Sequence, residues 1–346
     1  MIEVDTPALV VDVDRLDRNL ARWQAHCDAV GLANRPHVKT HKSVEIGRRQ
    51  VALGARGITC QKLGEAEVMA DAGIDDILIP YNLTGETKLE RLAVLARRID
   101  VAVSIDDERL LAGLSGAAAR SREIRVLVEC DTGLGRVGVG TPEAAAALAR
   151  EIARREGLRF GGFLTYPSRP GAVAFLAEAK RRARAAGLEV ETVSAGGTPT
   201  MWASGELRPT VTEYRVGTYA FHDRATVAAG AASADDVALT VRATVVSRPS
   251  ADRAVLDAGS KVLTHDPGPG PGFGSILEAP ESIVEWLSEE HAIVAVAAGD
   301  SLELGEQVRV VPNHVCVVVN LADELVVHGE GVEPTTWPVD ARGRSR

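Results

Sequence analysis

The sequence predicts a (β/α)8 barrel of the TIM type with a second, mostly antiparallel β domain, and three observations lead to this fold class. The chain has 346 residues, which suits a barrel of about 250 residues plus a further module. Up to about residue 232, short β-branched runs alternate with Ala/Leu/Arg-rich helical stretches, as in parallel βα units. Beyond that point, β-branched runs are separated by Gly/Pro turns with little helix. We therefore expect the barrel over residues 13–232 and the β domain over residues 1–12 and 233–346.

Eight strand–helix repeats close a barrel, and the first two thirds of the chain contain eight candidate strands. These strands are predicted at residues 36–40, 57–60, 76–81, 101–106, 124–131, 158–166, 190–195 and 211–217. Helices are predicted between them at residues 64–72, 87–98, 108–120, 142–156 and 171–186. The eighth helix is weakly marked.

In the predicted β domain, apolar and β-branched runs indicate strands at residues 239–247, 253–257, 293–297, 307–311 and 314–320. The run at residues 8–11 precedes the first helix without a barrel partner, and we expect it to join this domain. Residues 265–274 read HDPGPGPGFG, a long turn-rich loop of the kind that is often functional.

Composition and charge exclude several classes of protein. A net charge of −9 argues against a nucleic-acid-binding surface, which needs clustered Lys and Arg. The N-terminus has acidic residues where a secretory signal would be basic, and no apolar run approaches the roughly 18 residues of a membrane span. The four cysteines are scattered and are expected to be reduced: Cys27, Cys60, Cys130 and Cys316. We expect a cytoplasmic protein with no nucleic-acid or membrane partner.

Lys39 is the first candidate for chemistry. Catalytic residues of a barrel lie at the C-terminal ends of its strands, and Lys39 lies there on the first predicted strand, in RPHVKTHKS. A lysine at the mouth of a barrel can be desolvated, which lowers its pKa and lets a free amine attack an aldehyde. A surface lysine in a loop would explain the same position, and the neighbouring His37, His41 and Lys42 do not decide between the two.

Two glycine-containing stretches after the seventh and eighth strands could bind a phosphate. Barrels often hold phosphate there, because glycines let backbone amides approach an anion closely. Tight turns would explain the same glycines. The candidate residues are Ser194, Gly196, Gly197 and Thr198 after the seventh strand, and Gly217 and Thr218 after the eighth.

Two arginines also end strands of the predicted barrel. Arg136 follows the fifth strand and could bind a phenolate or carboxylate with its rigid guanidinium, and Arg215 ends the eighth strand. A structural ion pair would explain either arginine.

His314 and Cys316 form a His-x-Cys pair in PNHVCVVVN. On the predicted strand, residues two apart point to the same face, so one imidazole and one thiolate could share a metal such as zinc. The remaining metal positions would stay open for a substrate. A buried cysteine beside an unrelated histidine is the alternative, because a lone His-x-Cys pair is a weak signal.

Several motifs together resemble the fold-type III pyridoxal-phosphate enzymes, the barrel group that includes alanine racemase. More closely, the chain resembles the D-serine dehydratase and D-threonine aldolase family. In the barrel, the motifs are RPHVKTHKS, ECDTGLGRVG, SAGGTPT and TEYRVGTYAFHD, and in the second domain they are LDAGSK, SEEH and PNHVC. The resemblance covers nearly the whole chain and spans both domains.

The resemblance implies roles for the candidate residues. Lys39 would carry pyridoxal 5'-phosphate covalently, Arg136 would contact the phenolic oxygen of the cofactor, and Arg215 would face its pyridine nitrogen. Ser194, Gly196, Gly197, Thr198, Gly217 and Thr218 would surround the phosphate, with Tyr166 as a further cofactor-binding candidate. His314 and Cys316 would bind a divalent metal, zinc or manganese. Relatives of this group commonly form homodimers, so a homodimer is expected.

The resemblance also leaves two alternative reactions open, both on a small-molecule D-3-hydroxy amino acid. A dehydratase would release a 2-oxo acid and ammonia from a D-serine or D-threonine type of substrate, whereas a D-threonine aldolase would release glycine and an aldehyde. The aldolase branch has a carboxylate where this chain has Cys316, which favours a dehydratase. The dehydratases, however, carry a His-rich stretch where this chain has Tyr166, which points the other way.

Two further classes are less favoured. A racemase usually needs a tyrosine in the β domain for a second proton transfer, and no tyrosine follows Tyr219 in the sequence. A non-catalytic pyridoxal-phosphate-binding protein would resemble the barrel alone, whereas this chain has a substantial C-terminal domain.

Overall fold

The structure is a computed structural model that describes residues 4–346. The chain forms two compact units. The first, called the barrel unit, comprises residues 23–39, 46–217 and 344–346. The second, called the sheet unit, comprises residues 4–22, 40–45 and 218–343. The domain bounds expected from the sequence stay a prediction.

Strands and short-to-medium helices make up the regular structure of both units. The strands are β1 (Ala8–Asp12), β2 (Ala33–Asn34), β3 (Ile58–Thr59), β4 (Asp76–Ile79), β5 (Asp100–Ile105), β6 (Ile124–Cys130), β7 (Leu158–Thr165), β8 (Thr192–Gly196), β9 (Glu213–Arg215), β10 (Leu239–Ser250), β11 (Arg253–Leu256), β12 (Ser275–Ile276), β13 (Ile283–Leu287), β14 (Ala292–Ala295), β15 (Gln307–Val311), β16 (Glu324–Gly329) and β17 (Val332–Pro338). The helices are α1 (Val13–Val30), α2 (Val44–Ala52), α3 (Leu63–Asp71), α4 (Glu86–Ala96), α5 (Leu111–Ala119), α6 (Pro142–Ala153), α7 (Ala172–Ala185), α8 (Arg224–Ala228), α9 (Ser260–Leu263) and α10 (Val315–Leu321).

The barrel unit contains the predicted eight parallel strands, in the order β2-β9-β8-β7-β6-β5-β4-β3. An isolated parallel bridge between His37 and Thr59 joins the two ends of this order. There the Thr59 amide donates to the Pro36 carbonyl at 2.7 Å, and the Val38 amide donates to the Thr59 carbonyl at 2.9 Å. The (β/α)8 fold class is confirmed.

Strand β2 begins and ends before the predicted residues 36–40. Its pairing with β9 joins Ala33 to Glu213 and Asn34 to Tyr214, and the His37 amide still donates to the Val216 carbonyl at 2.7 Å. The backbone then turns over residues 38–41. Lys39 therefore lies in the turn that follows the strand, still at its carboxyl end.

The barrel core is apolar because its parallel strands are buried on both faces. All seven residues of β6 are buried. Neighbouring strands β4 to β7 contribute Leu78, Ala102, Leu127 and Leu164 to one buried cluster. Burial of each leucine stabilises the fold by roughly 1.5–3 kcal/mol.

The predicted barrel helices are present between the strands. Helix α6 shows why the sequence forms them: the Thr141 side chain accepts a hydrogen bond from the Ala144 amide, and Pro142 occupies the first turn. Its apolar residues Leu148 and Ile152 are four positions apart and buried on one face. Within residues 4–346, no helix is long and apolar enough to cross a membrane.

The sheet unit contains a nine-stranded, mostly antiparallel sheet, as predicted. Its main path runs β13-β14-β11-β10-β1-β16-β17, and β15 pairs with both β10 and β12. Strand β1 pairs antiparallel with β10, where Leu9 faces Val241, and parallel with β16, where Val10 faces Val326. The predicted membership of the N-terminal run in this sheet is confirmed.

The strand predicted at residues 314–320 is wrong, because this segment is helix α10. Its buried residues Val315, Val318 and Val319 have the spacing of one helical face, whereas Val317 is exposed. Packing of that face outweighs the β propensity of the valines, which is modest and depends on context. The prediction that His314 and Cys316 lie on one face of a strand is therefore wrong as well.

Candidate active site

Lys39 lies at the carboxyl rim of the barrel, where its sequence position predicted it. The residue is half-buried, and its amide donates to Nδ1 of His37 at 3.4 Å. The His37 ring is held by Gln61 at 3.2 Å through Nε2. The turn that carries Lys39 is thus tied to the first and second strands of the barrel.

Arg215 ends β9 with a buried guanidinium, and its partners lie on β7 and β8. Nη1 donates to Oγ of Ser194, and Nη2 donates to the Thr165 carbonyl at 2.9 Å. Burial lowers the pKa of Arg215, and the nearby Glu213 and Glu129 carboxylates oppose that change. An arginine pKa is so high that the group stays charged.

Below Arg215 lies a buried ion network that the sequence analysis did not identify. The side chain of Arg35 donates to Glu213 at 2.7 Å through Nε and to Asp76 at 2.8 and 3.0 Å through its two Nη atoms. Burial acts to raise the pKa of Glu213, but the charge and hydrogen bond of Arg35 hold it below its ordinary value. Glu213 is therefore a carboxylate in the interior of the barrel.

Arg136 and Tyr166 occupy the more open part of the same rim. The Arg136 side chain is 50% exposed and lies over the Tyr166 ring at 5.2 Å from its centroid. Its Nη2 is 4.0 Å from a carboxylate oxygen of Glu129. Arg136 is thus free to contact an anion from the solvent side.

Glu129 is a second acidic residue that the sequence analysis missed, although it lies in the motif ECDTGLGRVG. It accepts a hydrogen bond from Ser104 at 2.8 Å. Burial raises its pKa, and the Ser104 hydrogen bond and the charges of Arg215 and Arg136 oppose that increase. The available signal was an acidic residue in a strand with a mostly apolar sequence, because a buried charge needs a partner.

The loop that carries Arg136 is shaped by Asp131. One carboxylate oxygen of Asp131 accepts from the Gly133 and Leu134 amides at 2.8 and 2.9 Å. These bonds fold residues 131–135 back on the end of β6, as aspartates commonly do in turns. The spacing Asp-Thr-Gly-x-Gly-Arg therefore sets where Arg136 leaves the rim.

The predicted phosphate-binding segments have internal partners of their own. The Gly196 amide donates to Oγ of Ser168 at 3.0 Å, and the Gly197 amide donates to the Arg215 carbonyl at 3.0 Å. A Cβ atom on Gly196 would lie 2.5 Å from that same carbonyl, so glycine is required there for close packing.

Thr198 and Gly217 also belong to the barrel unit, whereas Thr218 belongs to the sheet unit. Thr198 is buried and starts a 3-10 segment, Thr198–Leu207. The Thr218 carbonyl accepts from the His222 amide at 2.7 Å. The phosphate-binding role of these residues stays a prediction.

The donors at the barrel rim fit an anionic pyridine cofactor. A half-buried lysine lies at the end of the first strand, a guanidinium is buried at the end of β9, and a second guanidinium is half-exposed near Tyr166. Such a cofactor requires an amine that reacts with its aldehyde. It also requires cations beside its anionic oxygen and the lone pair of its ring nitrogen. Lys39, Arg136 and Arg215 would hold it.

His314 and Cys316 lie at the start of α10 in the sheet unit, not on a strand. His314 is the N-cap residue, and its Nδ1 is 3.1 Å from a carboxylate oxygen of Asp223. The same oxygen accepts from the Val315 amide at 3.0 Å. Cys316 is half-buried, with its Sγ 3.3 Å from Oγ1 of Thr40.

This arrangement fits a metal held by two side chains. Metal-binding histidines usually donate their second ring nitrogen to a carboxylate, which is the contact that Asp223 makes. The hydrogen bond to Asp223 and a second one to Cys316 raise the pKa of His314 to about 10. Among residues 4–346, no group of three or more His, Cys, Asp or Glu side chains is placed to hold an ion.

Asp223 was also missed by the sequence analysis, because its partner is 91 residues away in the chain. Its local role is visible: it caps helix α8 by accepting from the Thr226 amide at 2.9 Å. An acidic residue before a short helix is common, so that pattern alone does not indicate a site.

Comparison with known proteins gives the family. The family model of the alanine racemase N-terminal domain matches residues 11–225, and that of a serine dehydratase domain matches residues 238–328. D-threonine aldolase from Arthrobacter sp is 38% identical over 100% of this chain and 95% of its own length. D-threo-3-hydroxyaspartate dehydratase from Delftia sp. (strain HT23) is 36% identical over 91% of this chain and 92% of its own length.

A solved structure agrees with the two sequence relatives. A D-threo-3-hydroxyaspartate dehydratase mutant in the metal-free form matches with a TM-score of 0.87 and 32% identity, and the match covers 97% of each chain. The predicted family and the predicted lyase class are confirmed. The chain belongs to the family of D-threonine aldolase and D-threo-3-hydroxyaspartate dehydratase, a family of pyridoxal-phosphate-dependent lyases with an alanine racemase-like barrel.

Proposed function

We propose that this protein is a pyridoxal-phosphate- and metal-dependent dehydratase that converts a D-3-hydroxy amino acid to a 2-oxo acid and ammonia. The observation that carries the choice is the pair at the start of α10, where a thiol of Cys316 accompanies His314. In the resemblance described above, a cysteine at this position belongs to the dehydratases and a carboxylate to the aldolases.

Lys39 is the proposed catalytic residue. Pyridoxal phosphate, when bound, supplies an electron sink for the bonds at the substrate Cα. The half-buried amine of Lys39 would hold the cofactor and, once released, accept the Cα proton. Arg215 would stay charged beside the pyridine nitrogen, so that nitrogen would remain unprotonated and the ring would attract electrons less strongly.

A metal would compensate for that weaker ring. A divalent ion, zinc or manganese, would supply Lewis-acid chemistry at the substrate hydroxyl, which would make hydroxide a better leaving group. His314 and Cys316 would hold the ion, and Asp223 would orient His314. Homodimerisation and a cytoplasmic location stay predictions.

D-threonine aldolase is the second candidate, because the relative with that activity is 38% identical over the whole chain. In that reaction a base removes the proton of the β-hydroxyl, and the bond between Cα and Cβ breaks to give glycine and an aldehyde. The half-exposed Tyr166, in place of the His-rich stretch of the dehydratases, also favours this candidate.

A product assay decides between the two candidates. The purified protein, supplied with pyridoxal phosphate and zinc or manganese, is incubated with D-serine, D-threonine and D-threo-3-hydroxyaspartate. Ammonia together with a 2-oxo acid supports the dehydratase, whereas glycine together with an aldehyde identifies the aldolase. The L-enantiomers serve as controls. Chelation should abolish activity and added metal should restore it, so full activity in chelator would remove His314 and Cys316 from the site.

A further inference from the structure

We propose that Glu213 is a positioning residue that holds Arg215 in place through the hydroxyl of Ser194. The proposal rests on the function proposed above, in which Arg215 faces the pyridine nitrogen of the cofactor. It also changes the role of Ser194, which the sequence analysis placed beside the phosphate. The three residues form a relay inside the barrel unit, with Glu213 at its buried end and Arg215 at the rim.

The relay is built from two adjacent strands. Glu213 and Arg215 are two residues apart on β9, so their side chains lie on the same face of that strand. Ser194 on β8 is the direct neighbour of Glu213 in the parallel pairing. Its Oγ donates to a Glu213 carboxylate oxygen at 2.7 Å, and Nη1 of Arg215 donates to the same Oγ.

The direction of these hydrogen bonds follows from the available protons. A serine hydroxyl has one proton, and a guanidinium can only donate. As long as Glu213 is ionised, it can only accept, so Ser194 gives its proton to Glu213 and offers its lone pair to Arg215. Glu213 therefore makes Ser194 an acceptor, which is the state that Arg215 requires.

Burial makes the relay rigid. Arg215 is 5% exposed, Glu213 is 1% exposed and Ser194 is fully buried, so water cannot readily replace a lost partner. The other Glu213 oxygen accepts from Nε of Arg35 at 2.7 Å. This second cation balances the charge of Glu213 and keeps it ionised. The Thr165 carbonyl holds the remaining side of Arg215 at 2.9 Å.

The first test is Glu213→Gln. Arg35 and Ser194 donate to two different oxygens of Glu213, and a glutamine replaces one of those oxygens with an NH2 group that can only donate. We expect the dissociation constant for pyridoxal phosphate to rise by about ten- to a hundredfold, as when other buried orienting partners are removed. We also expect a shift in the pH midpoint of the visible absorption of the bound cofactor.

Asp76→Asn is the matched control. Asp76 accepts from the two Nη atoms of Arg35 and shares no hydrogen bond with the relay residues Ser194 and Arg215 in the described chain. The control should lower stability like Glu213→Gln but leave cofactor affinity and absorption near those of the unmodified protein. Equal effects of the two variants on affinity and absorption would show that Glu213 is merely structural and would overturn the proposal.

The second test is Ser194→Ala, which decides the question even where Glu213→Gln fails to fold. Binding of pyridoxal phosphate is compared with binding of pyridoxal, which lacks the phosphate. If the relay operates, the variant should raise the dissociation constants of both ligands by the same factor, because the effect acts on the cofactor ring through Arg215. If only the binding of pyridoxal phosphate is weakened, Ser194 acts at the phosphate, and that result would overturn the relay.

The result is distinguishable from a failure of the proposed function. If the unmodified protein forms no borohydride-reducible adduct with pyridoxal phosphate at Lys39, the proposed function fails. If it forms that adduct and neither variant changes the affinity or absorption of the cofactor, only the relay fails.

Discussion

The barrel unit and the sheet unit place their candidate functional residues by different means. In the barrel unit, Lys39, Arg136 and Arg215 follow the carboxyl ends of strands, and strand alternation with helices predicted that rim from the sequence. In the sheet unit, His314 and Cys316 lie at the start of a helix that the sequence predicted as a strand. A repeated supersecondary pattern thus locates a site better than a single apolar run does.

The partners of these residues differ in the same way. Arg215 is held by Ser194, on the neighbouring strand and 21 residues away. His314 is held by Asp223, which is 91 residues away and belongs to the turn before α8. Adjacent strands of a barrel bring nearby segments together in a regular order, whereas the partner of a helix N-terminus depends on how distant segments pack.

The largest expected effect comes from the candidate catalytic residue of the barrel unit. Lys39→Ala removes the amine that would hold the cofactor and move the Cα proton, so kcat/KM for the preferred D-3-hydroxy amino acid should fall by at least about a thousandfold. Lys42→Arg, three residues along in the same motif, should retain activity, because Lys42 is buried elsewhere and donates to the Ala341 carbonyl at 3.5 Å. Recovery of the borohydride adduct on Lys42 would contradict the assignment.

An effect of intermediate size tests the contact between Asp223 and His314 in the sheet unit. Asp223→Asn should weaken metal binding by about ten- to a hundredfold, because the imidazole of His314 loses the carboxylate that orients it. The measurement is metal content and affinity by titration. Thr226→Ala is the control, since it disturbs the same α8 cap without touching His314. Equal losses in the two variants would mean that Asp223 acts only as a helix cap.

The smallest effect concerns stability in acid and again tests the barrel unit. The pKa of Glu213 lies below its ordinary value of 4.5 in the folded protein. Its contribution to the free energy of unfolding is therefore present above about pH 4.5 and is lost as pH falls through the folded-state pKa. The urea concentration at the unfolding midpoint of the unmodified protein should therefore decrease when the pH is lowered below about 4.5.

Glu213→Gln provides the comparison for the acid effect. The variant should be less stable at pH 7 and should lose less additional stability in acid, because the titrating carboxylate is gone. Identical pH dependence in the two proteins would show that Glu213 does not contribute to acid sensitivity.

The extent of prediction from sequence differs between fold and site. The eight barrel strands were predicted from β-branched runs that mostly alternate with helical stretches, and most bounds agree with the structure within a few residues. The candidate residues at the rim were predicted because they lie at the carboxyl ends of the predicted strands. The acidic residues Glu129 and Glu213 were not, because a carboxylate in a buried strand indicates a buried partner without indicating which one.

By itself, the sequence determined the order of strands and helices in the barrel unit, the rim that carries Lys39, Arg136 and Arg215, and the membership of the first strand in the second sheet. These features depend on local periodicity and on chain order. Only the tertiary structure decided that α10 is a helix, that Asp223 faces His314, and that Glu213 supports Arg215 through Ser194. The physical reason is that burial and hydrogen bonding between distant segments can outweigh local propensity and choose each partner.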